Sequence, residues 1–220
     1  MNKQTFDKLG EKKQLKEDIE WLRLWCEDTN ERTLPRVALI GDSITEQVFE
    51  VVKRELEGVA HVDYLATSYS LLSPAYVGMV EKFIEDSKYA VVCYNYGLHG
   101  YAITGEEYES AYKAMLEKLL ANASVVVSLT TQVLENGQSG ESSEVWKDKV
   151  IERNLCVEKL AKEFNLPVDD LYSISVKLAS ENGYIEDGVH FNKTGCEELG
   201  KSKANAIKQI LAVNNIGETR

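Results

Sequence analysis

A serine hydroxyl becomes a nucleophile only when a base accepts its proton, and an imidazole does this well only when a third group fixes its tautomer and steadies its charged form. Ser43 lies in Gly41-Asp42-Ser43-Ile44-Thr45, and the chain has only 3 histidines with which to serve it. His190 ends the tetrad Asp187-Gly188-Val189-His190. A three-residue offset across a glycine-containing turn lets the Asp187 carboxylate reach one ring nitrogen and leaves the other for Ser43. The chemistry on offer is attack on a carbonyl, with His190 as base and Asp187 as its orienting acid. The plainer alternatives are a helix cap by Asp42 or Ser43 and an Asx-turn beside a surface histidine. A third segment, Tyr94-Asn95-Tyr96-Gly97-Leu98-His99-Gly100, sets two hydrogen-bond donors, Asn95 and His99, on either side of Gly97, where a developing negative oxygen could be held. Its bland counterpart is a polar turn in which Asn95 bonds its own backbone.

These segments need elements that bring them together. Short apolar, β-rich runs at 37–40, 62–66, 90–94, 125–129 and 168–171 alternate with helical stretches near 45–57, 75–86, 105–121, 143–164 and 195–212. Apolar strands separated by helices predict a mostly parallel, five-stranded sheet covered on both faces, a three-layer α/β/α sandwich. Ligands in such sheets bind beyond the carboxyl ends of the strands, where Ser43, Asn95 and His99 fall. Thr104-x-x-Glu107 and Thr194-x-x-Glu197 match capping boxes at two helix starts. Residues 1–34, with Leu15, Ile19, Leu22 and Trp25 at helical spacing, predict an N-terminal helical extension packed on a domain of residues 35–220. Residues 135–143 read as a surface loop.

Composition narrows the partners. With 25 Lys plus Arg against 36 Asp plus Glu, the chain of 220 residues carries a net charge of −11 and no basic stripe for a phosphate backbone, so nucleic acid is not expected. No run of about 18 apolar residues crosses a bilayer and no apolar leader opens the chain, which predicts a cytoplasmic protein with no membrane partner. The 4 cysteines, Cys26, Cys93, Cys156 and Cys196, form no C-x-x-C pair. They are expected as free thiols packed as small apolar groups, and no metal or other cofactor is expected.

In their order and spacing, Gly41-Asp42-Ser43-Ile44 and Asp187-x-x-His190 resemble the first and last blocks of the SGNH hydrolase superfamily, the GDSL-type esterases and lipases, over roughly residues 36–212. The resemblance implies a flavodoxin-like α/β fold, a nucleophilic Ser43, a triad completed by His190 and Asp187, and a small-molecule ester substrate such as an acylated sugar. An acyltransferase would use the same triad with another acceptor. A binding module of flavodoxin type, holding phosphate at residues 41–45, would want further glycines or a basic residue in that turn, which the sequence lacks. Two blocks depart from the family pattern. Where its second block has glycine, this chain reads Ala66-Thr67-Ser68-Tyr69-Ser70, so a backbone amide there, that of Ser68, is the expected oxyanion donor. Where its third block reads Gly-x-Asn-Asp, this chain has Gly97-Leu98-His99-Gly100. His99 then takes the asparagine position and Asn95 stands just before the glycine, so the side-chain donor is one of these two. Alignment on Gly97 favours His99, with Asn95 bracing the loop, and residue type favours Asn95, with His99 as a wall of the pocket that Asp42 and Gly97 also line. The strand-end segments are small and polar, which predicts short acyl groups such as acetyl.

Overall fold

The runs at 37–40, 62–66, 90–94 and 125–129 all become strands of one sheet, because each is largely apolar and is stable only between two helical layers. A computed structural model describes residues 16–134 and 143–218. Its strands are β1 (Leu22–Trp25), β2 (Arg36–Gly41), β3 (His61–Thr67), β4 (Tyr89–Tyr94), β5 (Ser124–Ser128) and β6 (Val168–Asp169). The helices are α1 (Ser43–Glu55), α2 (Pro74–Asp86), α3 (Gly105–Leu120), α4 (Ser143–Phe164), α5 (Leu171–Ser180) and α6 (Lys193–Glu218). The strand order is β1-β3-β2-β4-β5-β6, parallel throughout except for β1, which runs antiparallel to β3.

Alternation along the central strands divides the core. Ala38, Ile40, Val92, Tyr94, Val125 and Val127 face a layer containing Tyr76, Val80, Tyr112 and Leu160 of α2, α3 and α4. Val37, Leu39, Val91, Cys93 and Val126 face Val48, Val52, Leu199 and Ile207 of α1 and α6. Each Val, Leu and Ile among these side chains contributes about 1.5–3 kcal/mol when fully buried. At the amino end of the sheet Arg36 clamps β2 to β3 with a buried bidentate pair to Asp63, Nε to Oδ2 at 3.0 Å and Nη2 to Oδ1 at 2.5 Å. The opposite, carboxyl end is left free to carry polar loops.

Three elements differ from the sequence-based expectations. Residues 22–25 form strand β1, not part of a helix, and Leu15 lies outside the described residues. Leu22-Arg23-Leu24-Trp25 fits a period of two as well as one of 3.6, and the otherwise open edge of β3 supplies backbone partners that a helix would leave unmet. The fifth strand stops at Asp169, since Asp170 caps α5 by accepting the Ser173 amide at 2.9 Å, and Leu171, Ser175 and Leu178 turn inward at helical spacing. The capping box at Thr104 and Glu107 is present, whereas that at Thr194 and Glu197 is not. Helix α6 starts at Lys193, two residues earlier than expected, Asn192 Oδ1 accepts the Gly195 amide at 3.1 Å, and Glu197 pairs with Arg54. Residues 135–142 of the expected surface loop lie outside the described residues.

Candidate active site

Strand β2 ends at Gly41, and the chain turns directly into α1. A side chain at Gly41 would meet Thr45 Oγ1 at 2.1 Å and the Asn95 carbonyl oxygen at 3.3 Å, so the turn is tight enough to need glycine. Asp42 is the N-cap, its Oδ1 accepting the Ile44 amide at 3.0 Å. Ser43 is therefore the first helical residue, where backbone N–H groups have no intrahelical partner and the helix dipole favours negative charge.

The segment 184–192 folds back to meet this turn. Tyr184 bridges Phe191, the Ile185 amide donates to the His190 carbonyl at 3.0 Å, and Gly188 takes a left-handed φ of 66°. Asp187 Oδ1 accepts the amides of Val189 at 2.9 Å and His190 at 2.8 Å. Its Oδ2 accepts from His190 Nδ1 at 2.7 Å, which puts a hydrogen on Nδ1 and leaves Nε2 as an acceptor for the Ser43 hydroxyl, also at 2.7 Å. Ser43, His190 and Asp187 thus form one continuous hydrogen-bonded chain. Gln47, one turn along α1 from Ser43, locks the two segments together: its Oε1 accepts the Phe191 amide at 3.2 Å and its Nε2 donates to the Phe191 carbonyl at 3.4 Å.

Burial raises the Asp187 carboxyl, but the two amides and the imidazole outweigh it and hold it below the ordinary carboxylate value. A depressed folded-state value means that these bonds stabilise the loop at every pH above the ordinary value of about 3.9, and are lost as pH falls through the depressed one. The Val189 and His190 amides should keep their protection from hydrogen exchange down to about pH 4 and lose it in stronger acid. Loss between pH 5 and 7 would contradict this assignment.

The remaining expected site residues separate. Asn95 is buried and turned sideways, its Nδ2 donating to the Ser128 carbonyl at 3.0 Å, next to a buried set in which Lys203 Nζ donates to Ser128 Oγ at 2.6 Å. It braces β4 against β5. Gly97 is pressed against Thr130, whose Oγ1 would lie 1.6 Å from an added Cβ. The Ser68 amide, expected as an oxyanion donor, is already donated to the Trp21 carbonyl at 3.2 Å. Sequence reading placed Trp21 within an N-terminal helix and so missed this backbone pairing. His99 Nδ1 lies 2.9 and 3.0 Å from the two carboxylate oxygens of Glu17, while its Nε2 is buried and unpartnered among the described residues. Asp42 Oδ2 is buried and unpartnered likewise.

Two further residues support these loops. Arg153 of α4, only 2% exposed, donates from Nη1 to the carbonyls of Gly97 at 2.6 Å and His99 at 2.7 Å, and from Nη2 to that of Gly100 at 2.8 Å. Burial pulls its guanidinium below the ordinary value, against the opposing pull of nearby tyrosines and carboxylates. Its neighbour Asn154 brackets Thr130, accepting that residue's amide at 2.7 Å and donating to its carbonyl at 2.9 Å. Among the described residues no group of three or more His, Cys, Asp or Glu side chains could hold a metal ion, and no helix is long and apolar enough to cross a membrane. All four cysteines are free thiols.

No known family profile matches the sequence, and no curated protein is similar to it in sequence. Solved structures are similar in fold. An aryl esterase from M. smegmatis is 14% identical, with a TM-score of 0.65 over 80% of this chain and 99% of its own. A candidate SGNH hydrolase from Slackia heliotrinireducens is 16% identical, with a TM-score of 0.64 over 80% of this chain and 100% of its own. An acetyl xylan esterase, AlAXEase, is 18% identical, with a TM-score of 0.62 over 78% of this chain and 99% of its own. With its parallel sheet between helical layers, this chain has the fold of the SGNH hydrolases.

Proposed function

We propose that the protein is a serine esterase that hydrolyses short-chain, acetyl-type esters of an alcohol or carbohydrate through an acyl-enzyme. The observation that carries this reading is the Asp187–His190–Ser43 chain, with both links at 2.7 Å and Ser43 partly exposed at a helix N-terminus. Ser43 Oγ attacks the acyl carbon while His190 Nε2 takes its proton. The tetrahedral intermediate collapses, its C–O bond to the alcohol breaks, and His190 returns the proton to the departing oxygen. Water then attacks the acyl-Ser43 ester with His190 again as base, releasing the carboxylic acid and restoring the hydroxyl. Asp187 stays ionised throughout, keeping His190 in the tautomer whose Nε2 faces Ser43. The Ser43 amide and the His99 side chain supply the donors for the negative oxygen, and Asn95 braces the loop from beneath.

The acetyl preference is supported by the small polar residues at the strand ends, Ser68, Ser70, Thr130 and Thr131, all buried and tightly placed. The solved acetyl xylan esterase of this fold agrees with that class of substrate. The test is a series of p-nitrophenyl esters from acetyl to octanoyl. kcat/KM should favour acetyl over octanoyl by about tenfold or more, since a pocket distinguishes chain lengths by apolar fit. A higher value for octanoyl would overturn the short-acyl assignment.

A further inference from the structure

Helix α1 turns one stripe toward the part of the chain that carries the base. Ser43, Gln47, Val51 and Arg54 recur along it at helical spacing, and each meets a residue between 190 and 200. Ser43 Oγ donates to His190 Nε2 at 2.7 Å, and the Gln47 carboxamide takes both backbone groups of Phe191, at 3.2 and 3.4 Å. Val51 lies so close to Gly200 of α6 that a side chain on the glycine would put its Cβ 2.6 Å from that of Val51. Arg54 forks onto Glu197 at 2.9 and 2.7 Å. The pair of nucleophile and base is thus the end of a longer seam between α1 and the segment running into α6.

Asp187 and Gln47 constrain His190 in different ways. The Asp187 carboxylate holds the ring through Nδ1 at 2.7 Å and the His190 amide at 2.8 Å. It belongs to the same loop as the histidine, so it moves with the ring and fixes nothing relative to Ser43. Gln47 comes from the nucleophile's own helix. Within the loop, the His190 carbonyl accepts from the Ile185 amide at 3.0 Å and the Asn192 amide donates to the Gly183 carbonyl at 2.9 Å, so the amide and carbonyl of Phe191 point the other way, toward α1. A carboxamide accepts with one end and donates with the other, which matches both groups at once. Phe191 itself cannot shift, because its side chain is buried and its ring lies 4.3 Å from that of Tyr184 between centroids. The Cys196 thiol reaches the same carbonyl at 3.7 Å, a weak bond beside that of the carboxamide.

We propose that Gln47 is a positioning residue whose carboxamide sets the separation of His190 from Ser43, while Asp187 sets the tautomer and tilt of the ring. This deepens the esterase reading above and rests on it. Without the carboxamide, the loop can draw away from α1 with its Asp187–His190 pair intact, and a displacement of about 1 Å between reacting groups is enough to cost about 100-fold. Gln47 is only half-buried, so water can take over the two Phe191 groups and the fold survives.

The test is a double-mutant cycle on p-nitrophenyl acetate with Gln47→Leu, His190→Ala and both together, each variant checked by a thermal melt. Gln47→Leu should lower kcat by about 30- to 100-fold at nearly unchanged KM. Its Tm should fall by only about 2–4 °C, the shift expected for one ordinary hydrogen bond in a chain of this size. On the residual rate of His190→Ala the same substitution should cost less than about threefold, because the clamp acts only through the base. Equal losses in both backgrounds would reduce Gln47 to a packing role and overturn the proposal, as would an unchanged kcat in Gln47→Leu. Gln47→Met, unbranched and of similar length, carries the same cycle and the same outcomes if Gln47→Leu does not fold. An active wild type with an indifferent Gln47 variant overturns this proposal alone. An inert wild type, whose Ser43 is also unlabelled by a fluorophosphonate, overturns the esterase reading and this one with it.

Discussion

Ser43→Ala is expected to lower kcat for ester hydrolysis by about 10⁴- to 10⁶-fold, the scale seen when the nucleophile of a serine–histidine–acid unit is removed. The residual rate would come from binding and from the oxyanion donors, which the substitution leaves in place. Stability should change little. Asp42, not Ser43, caps α1, and among the described residues the partner that Ser43 Oγ loses is His190 Nε2. The measurement is steady-state turnover of p-nitrophenyl acetate beside a thermal melt, with fluorophosphonate labelling of the wild type as control. A variant that melts normally and turns over at the wild-type rate would end the esterase reading.

Arg153→Met should be the most destabilising of the substitutions considered for the site. It removes the donors to three loop carbonyls that are packed against α4, and it takes the guanidinium from its stack over the Tyr108 ring, 4.9 Å from the centroid. Each buried carbonyl left without a donor costs about 1–3 kcal/mol, and partial relaxation of the loop brings the sum to about 3–5 kcal/mol. For a chain of this size that lowers Tm by roughly 10 °C. Activity should fall in the folded fraction as well, because the same carbonyls fix the loop that presents His99. Arg153→Lys, which keeps the charge but reaches fewer carbonyls, should fall between the two. A Tm within about 2 °C of wild type for Arg153→Met would show that the loop holds itself.

The sequence made the parallel sheet legible because its strands are short apolar runs whose periodicity needs no distant partner. Ser43, Asp187 and His190 were legible for a related reason. Each sits in a turn whose local chemistry, a cap or a glycine offset, limits where its side chain can point. The Ser68 amide was misread because its partner, Trp21, lies 47 residues away and joins it backbone to backbone, which leaves no trace in residue type. Glu17 is hidden in the same way, 82 residues from His99. Arg153 and Asn154 did leave a signal. They occupy the inward stripe of α4 with Val150, Val157, Leu160 and Ala161, and polar residues on an apolar stripe point to buried carbonyls that need them. Gln47 lies beyond such reasoning, since nothing in α1 marks it apart from an ordinary exposed glutamine.

The antiparallel run of β1 bears on how the protein can be handled. Leu22 pairs with Thr67 at the carboxyl end of β3, so the chain ahead of it leaves the sheet beside the crevice. Helix α6 starts just after His190 and carries the other end away over 26 residues, roughly 40 Å. A bulky group attached at residues 16–20 would therefore stand beside the turn that carries Ser43, while one attached along the last turns of α6 would stand well away from it.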